Sequence, residues 1–187
     1  MLNINGKTDS SYRYKMVPIS STINGKGNGV YTTFHNLDEV CKYISQPPQL
    51  ILKYLSIHMG SMSNVEKMTI TGGYKNEELQ TALQLYINRF VICPACTIPE
   101  TIPQLKKESK KNIKLELKCS SCGKISEVNY NNKSEEKTTD LIIKYLEKND
   151  WITATKGIMV KSKEEEHSEK EHSEKEHSEK EDINPFL

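Results

Sequence analysis

No run of this chain approaches the ~18 consecutive apolar residues that a membrane-spanning helix needs, so no segment reads as a bilayer span. The N-terminus also lacks the basic-then-apolar pattern of a secretory signal. Apolar residues are scarce throughout, at 35% of 187, so part of the chain is expected to be unable to bury a core. Missing too is any Ser/His/Asp arrangement or carboxylate pair. The protein is therefore not expected to be an enzyme in its own right. Cysteine is sparse, and its count of five is odd. An odd number argues against a secreted disulfide framework and for a reducing compartment, the cytoplasm.

Four of those cysteines are the most informative residues present. Cys93-Pro-Ala-Cys96 and Cys119-Ser-Ser-Cys122 form two CxxC pairs separated by 22 residues, slightly beyond the commonest ribbon spacing. Two such knuckles facing one another supply four thiolates to a tetrahedral ion, which predicts one structural zinc bound by Cys93, Cys96, Cys119 and Cys122. Gly123, directly after the second pair, suits the positive φ that a knuckle often needs. The other reading is two unrelated redox or incidental pairs.

Net charge is +1, which conceals an asymmetry. Residues 161–187 hold 5 Lys+Arg and 10 Asp+Glu, leaving 21 and 15 for the rest, a balance of +6. A basic body suits a polyanionic partner, although an ordinary solvated surface fits the same numbers. The acidic tail repeats Glu-His-Ser-Glu-Lys three times, from Glu166, Glu171 and Glu176. With no apolar stripe it cannot offset the entropy of ordering, and disorder is expected. A solvated spacer is a better reading of His167, His172 and His177 than a metal site. The terminal Asp182-Ile183-Asn184-Pro185-Phe186-Leu187 restores apolar residues after an acidic run and reads as a short docking peptide.

Upstream of the cysteines the pattern is a compact α/β unit. Residues 16–23 and 30–35 read as strands about a glycine turn, Gly25-Lys26-Gly27-Asn28-Gly29. Asn36 is placed to cap a helix carrying Leu37, Val40, Cys41 and Ile44 on one stripe, which makes Cys41 a buried thiol. Pro47-Pro48 separates it from a second helix that buries Leu50, Ile51, Tyr54 and Leu55, with Lys53 near its polar edge and Gly60 at its end. A short strand over 66–71 precedes Gly72-Gly73. Asn76 then caps the clearest helix, whose apolar face runs from Leu79 to Phe90. Ile113, Leu115 and Leu117 alternate with charges as a strand entering the second knuckle. A last helix is predicted over 139–148, with Trp151 packing back beyond it.

The expected class is α+β: a small mixed sheet with packed helices, then a four-cysteine zinc ribbon and a disordered charged tail. The expected division is 1–90, an α/β domain with an N-terminal arm; 91–130, the ribbon; 131–160, a helix and extension; and 161–187, the tail.

Two further blocks carry chemistry. The glycine turn lets backbone approach another molecule closely and offers amides and Lys26, yet it is neither GxxxxGK[ST] nor GxGxxG opening a helix. A phosphate cradle is one reading; a hairpin tip, compatible with an RNA contact, is the other. In Tyr12-Arg13-Tyr14-Lys15-Met16 an arginine lies between aromatics near a chain end. A guanidinium supplied in trans stabilises charge on phosphoryl oxygens, although on these residues alone a plain surface arginine is the better reading. His35 and His58, far from the knuckles in sequence, read as structural.

Together, Tyr12-Arg13-Tyr14-Lys15-Met16, Gly25-Lys26-Gly27-Asn28-Gly29 and the helix ending Phe90-Val91 before Cys93-Pro94-Ala95-Cys96 and Pro99-Glu100-Thr101 resemble the N-terminal domain of the eukaryotic translation initiation factor 5 family, over about residues 1–150. The ribbon is similar also to the β subunit of initiation factor 2, which typically lacks the first two blocks. The resemblance implies a domain like initiation factor 1 followed by the ribbon. It implies a GTPase activator, monomeric, acting on the GTP-bound γ subunit of initiation factor 2. The setting would be the preinitiation complex of small ribosomal subunit, initiator tRNA and mRNA. The family's arginine finger falls on Arg13, and a supporting lysine falls on Lys53. The glycine hairpin, read in the family as an RNA contact or a weak GTP contact, falls on Gly25, Lys26, Gly27, Asn28 and Gly29. A second family lysine is replaced by Tyr31. The family's C-terminal HEAT-type domain has no counterpart before Leu187, so bridging to other factors is expected to be weak, absent or delegated. The alternatives are a non-catalytic β-type subunit binding the γ subunit and initiator tRNA, or a generic RNA-binding zinc ribbon.

Overall fold

The computed structural model describes residues 1–109, 113–130, 132–149 and 151. The tail repeats, the terminal peptide and all of the extension that follows Trp151 lie outside these residues.

Two short strands, β1 (Leu2–Asn3) and β2 (Lys15–Met16), pair with Leu2 opposite Met16. The strand expected over 16–23 is thus split, because Pro18 has no N–H to donate to a ladder. Its second part is β3 (Ser21–Asn24), which forms a hairpin with β4 (Tyr31–Phe34). The helix α1 (Leu37–Tyr43) and the helix α2 (Pro48–His58) follow, with Pro48 in the first turn of α2, where a missing N–H costs nothing. Strands β5 (Ser63–Asn64) and β6 (Thr69–Thr71) complete a four-stranded sheet of order β3-β4-β6-β5. The 66–71 strand is shorter than expected, and β5 was not anticipated.

The helix α3 (Asn76–Tyr86) buries Leu79, Ala82, Leu83 and Tyr86 on one face and continues as a π-helical turn, Ile87–Val91. Asn36 occupies the N-cap position of α1 as expected, but its side chain makes no capping bond, and Asn76 lies one residue inside α3. Asn36 accepts from the Ser20 N–H at 2.8 Å and donates to the Pro18 carbonyl at 2.8 Å. Asn76 accepts from the N–H and hydroxyl of Ser21. Asn76 thus stitches β3 to the helical layer, and Asn36 the segment just before it. The true cap of α3 is Lys75, whose N–H donates to Glu78 at 2.9 Å.

A third sheet follows, of order β7-β8-β9: β7 (Thr101–Lys107), β8 (Ile113–Cys119) and β9 (Ile125–Glu127). The helix α4 (Lys133–Lys148) starts six residues earlier than expected, because the Asn132 side chain accepts from the Glu135 N–H at 2.8 Å. The α+β class holds, with one refinement: every strand pairing among the described residues is antiparallel rather than mixed.

One apolar cluster runs through the described residues. It joins Leu37, Val40 and Cys41 of α1, Leu50, Ile51, Leu52, Tyr54 and Leu55 of α2 and the inner face of α3 to Leu115 of β8, Ile142 of α4 and Trp151. Trp151 is buried and meets Tyr145 edge-on, 6.0 Å between ring centroids. Arg89, in the π-helical turn, pairs with Glu135 and donates to the Asn129 carbonyl, tying down the start of α4. The rings of Tyr54, Tyr86 and Phe90 form a column at 4.8 and 5.1 Å. Burial pushes the Tyr86 hydroxyl well above its ordinary pKa, and it donates to the buried Gln46 at 2.8 Å. Tyr86→Phe would strand that acceptor, at a cost of about 1–3 kcal/mol. The urea midpoint should fall with the slope unchanged.

Candidate functional site

The two CxxC pairs adopt the same backbone. Cys93 N–H donates to the Ile98 carbonyl at 3.0 Å, and Cys119 N–H to the Lys124 carbonyl at 2.9 Å. Thr97 N–H returns to the Cys93 carbonyl, and Gly123 N–H to that of Cys119, at 2.9 and 3.0 Å. Both closing residues have positive φ, 60° for Thr97 and 72° for Gly123. Glycine meets this demand without strain. Thr97, β-branched in the left-handed region, does not.

The knuckles bring all four Sγ atoms within 4.8 Å of one another. Cys93 to Cys122 is 3.7 Å and Cys96 to Cys119 is 3.6 Å. Four thiolates about 2.3 Å from a tetrahedral ion stand about 3.8 Å apart. The set therefore fits zinc, and Cys93, Cys96, Cys119 and Cys122 would hold it. Without a cation the Cys93 and Cys96 thiols are shifted in opposite directions. Burial raises Cys93, yet N–H groups of Cys96 and Ala95 and the Cys96 and Cys122 thiols bring it down to about 7. At Cys96 the Ile98 N–H favours the thiolate, but burial and the three other thiols push it up to about 12. Four negative sulfurs in this volume need a positive ion between them. Cys41 is remote in role: it is fully buried in α1, and burial pushes its thiol well up.

Arg13 sits at the end of a closed loop, not on the extended arm anticipated from sequence. The β1–β2 pair pinches the base, with Ile4 N–H donating to the Tyr14 carbonyl at 3.0 Å. Inside, the Asn3 amide donates to the carbonyls of Lys7 and Asp9 at 2.7 and 2.6 Å. The Asp9 carboxylate accepts the Ser11 hydroxyl and N–H, which holds it below its usual pKa. Gln84 of α3 fastens the loop to the body through the Ile4 carbonyl at 2.8 Å. Arg13 itself is exposed and forms no ion pair among the described residues. Tyr12 and Tyr14 flank it with ring centroids 5.9 Å apart.

The glycine block is the exposed tip of the β3–β4 hairpin, with a single 3-10 turn over Gly27–Gly29. A Cβ at Gly25, where φ is +85°, would stand 2.2 Å from the Gly29 carbonyl oxygen, whereas one at Gly29 meets nothing within 4 Å. Gly25→Ala should therefore cost about 1–3 kcal/mol of stability. Gly29→Ala should stay within about 0.5 kcal/mol, both read from urea midpoints. Lys53 is exposed on α2, and Tyr31 is exposed in β4 beside the tip. No hydrogen bond or ion pair joins Arg13, Lys53 and the hairpin among the described residues. Arg13 lies in the loop between β1 and β2, Lys53 on α2 and the glycines at the β3–β4 tip.

Sequence reasoning missed Glu100 as a partner of the loop. The Tyr14 hydroxyl donates to its carboxylate at 2.7 Å across 86 residues of sequence. No spacing rule signals so long a contact.

A family model for the domain found in initiation factors 2B and 5 matches residues 5–125, which include the Arg13 loop, the hairpin and all four cysteines. The chain belongs to this family of translation initiation factors. Among its relatives, eukaryotic translation initiation factor 5 of Dictyostelium discoideum is 36% identical over 138 residues, 73% of this chain and 33% of that protein. The factor of the same name from Caenorhabditis elegans is 35% identical over 127 residues, 65% of this chain and 28% of that protein. A probable eukaryotic translation initiation factor 5-2 of Arabidopsis thaliana is 31% identical over 168 residues, 88% and 37% of the two chains. The chain thus spans about a third of the length of the curated relatives it matches. Among the described residues no helix is long and apolar enough to cross a membrane.

Proposed function

We propose that this chain acts in translation initiation as a GTPase-activating protein for initiation factor 2, with Arg13 supplied in trans to the nucleotide on the γ subunit. The observation that carries the reading is the presentation of Arg13. It stands exposed and free of ion pairs among the described residues, at the edge of a loop fixed by its own hydrogen bonds. A planar, permanently charged donor fork held in that way suits the oxygens of a phosphoryl group in transfer.

The other elements have supporting roles in this proposal. Zinc, when bound, supplies a cross-link and no chemistry of its own. The glycine hairpin meets RNA near the start codon and initiator tRNA, and Lys53 adds positive charge from α2. Gly29→Ala separates fold from contact. Since the fold has room for its methyl group, a loss of activity there would come from the partner's close approach. The test of the proposal is single-turnover GTP hydrolysis by reconstituted preinitiation complexes, with and without this chain. Stoichiometric retention with the γ subunit through high salt, without acceleration, would mark a binding subunit instead.

A further inference from the structure

We infer that Tyr14 and Glu100 are positioning residues that lock the Arg13 loop to the zinc knuckles, an inference that rests on the reading of Arg13 above. Tyr14 is the immediate neighbour of Arg13, and its hydroxyl reaches the Glu100 carboxylate at 2.7 Å in a half-buried setting. A hydrogen bond to an ionised acceptor is shorter and stronger than a neutral one.

Glu100 cannot move independently of the ribbon. It lies four residues beyond Cys96, and its carbonyl accepts the Ser120 N–H inside the second knuckle at 2.9 Å. Thr101, next in sequence, is buried and opposite Cys119 in the β7–β8 ladder. Its hydroxyl oxygen lies 2.7 and 3.0 Å from the carbonyls of Phe90 and Val91. Tyr14 therefore grips a point fixed by both knuckles and by the end of the long helix. On the other side of Arg13 the loop is held by β1 and Gln84. Tyr12 braces the Tyr14 ring. With both flanks fixed, the guanidinium starts from a defined place, so less ordering is needed when it meets the nucleotide.

The test uses the full chain with zinc bound. Tyr14→Phe deletes the donor and keeps the ring, Glu100→Ala deletes the acceptor, and Glu100→Gln keeps an acceptor oxygen. We expect Tyr14→Phe and Glu100→Ala to retain one zinc per chain while amides of residues 5–13 exchange about tenfold faster. The saturating rate of GTP hydrolysis should fall about tenfold, with the half-saturating concentration within about twofold. The double variant should be no worse than either single one, and Glu100→Gln, which keeps an acceptor oxygen but loses the charge, should fall between wild type and Glu100→Ala.

Unchanged exchange in Tyr14→Phe overturns the inference whatever the rates show. Faster exchange with a wild-type rate overturns it too, provided Arg13→Ala is impaired in the same assay. If Arg13→Ala hydrolyses GTP at the wild-type rate, the arginine reading itself fails and this inference falls with it. Loss of zinc from both Tyr14→Phe and Glu100→Ala would make the bond a brace of the ribbon, which also contradicts the proposal.

Discussion

Arg13→Ala is expected to slow single-turnover GTP hydrolysis in the reconstituted complex by about 10³–10⁵-fold, the range a trans-supplied arginine supplies in GTPases. Arg13→Lys should restore little of it. Lysine keeps the charge but presents a rotating ammonium in place of a planar fork that bonds two oxygens at once. The variants should remain folded, because Arg13 is exposed and forms no ion pair among the described residues. A surface change of this kind moves stability by no more than about 0.5 kcal/mol. The fall in rate would then belong to the reaction. A wild-type rate from Arg13→Ala would remove the finger assignment and leave a binding role for the loop.

The second large effect is expected from the metal. Cys119 ends β8, is fully buried, and lies 3.6 Å from Cys96 across the site. Cys119→Ser, or prolonged chelation, should release zinc and strip amide protection from β7, β8 and β9. Apparent binding free energies of structural zinc in small peptides are about 10–16 kcal/mol. That compares with about 5–15 kcal/mol for the folding of an entire domain, so the ribbon should not survive loss of its ion. Protons compete for the same sulfurs, and affinity should weaken as pH falls. Elemental analysis should give one zinc per chain in protein purified without chelator. Finding none, with the β7–β9 amides still protected, would refute a structural metal.

Those two predictions draw on parts of the molecule that were legible in the sequence to different degrees. The amphipathic stripes of α2 and α3 were read directly, because Leu50, Ile51, Tyr54 and Leu55, then Leu79, Leu83 and Tyr86, recur at helical spacing and face one core. The knuckles were legible because short-range spacing alone determines which sulfurs converge. Strands β5 and β9 were not, since two or three residues carry no period. Strand β7 was hidden by Pro103, which an edge strand tolerates. Asn36 and Asn76 misled because a side chain that suits a cap also suits a distant N–H, and here β3 and the residue before it claimed both. The closed form of the Arg13 loop rests on Asn3, Asp9 and Gln84, whose partners are polar, irregular and in one case 80 residues away. The block around Arg13 was visible as a motif; what holds it still was not.

The proposed activating role depends on this chain accelerating GTP hydrolysis on initiation factor 2. The decisive measurement mixes zinc-loaded protein with small ribosomal subunits carrying mRNA, initiator tRNA and initiation factor 2 bound to GTP, and follows phosphate formation in a single turnover. Wild-type protein should accelerate the reaction by orders of magnitude, and Arg13→Ala should lose that acceleration. Binding of the folded, zinc-loaded chain to those complexes with no change in the rate of hydrolysis would contradict the proposed function.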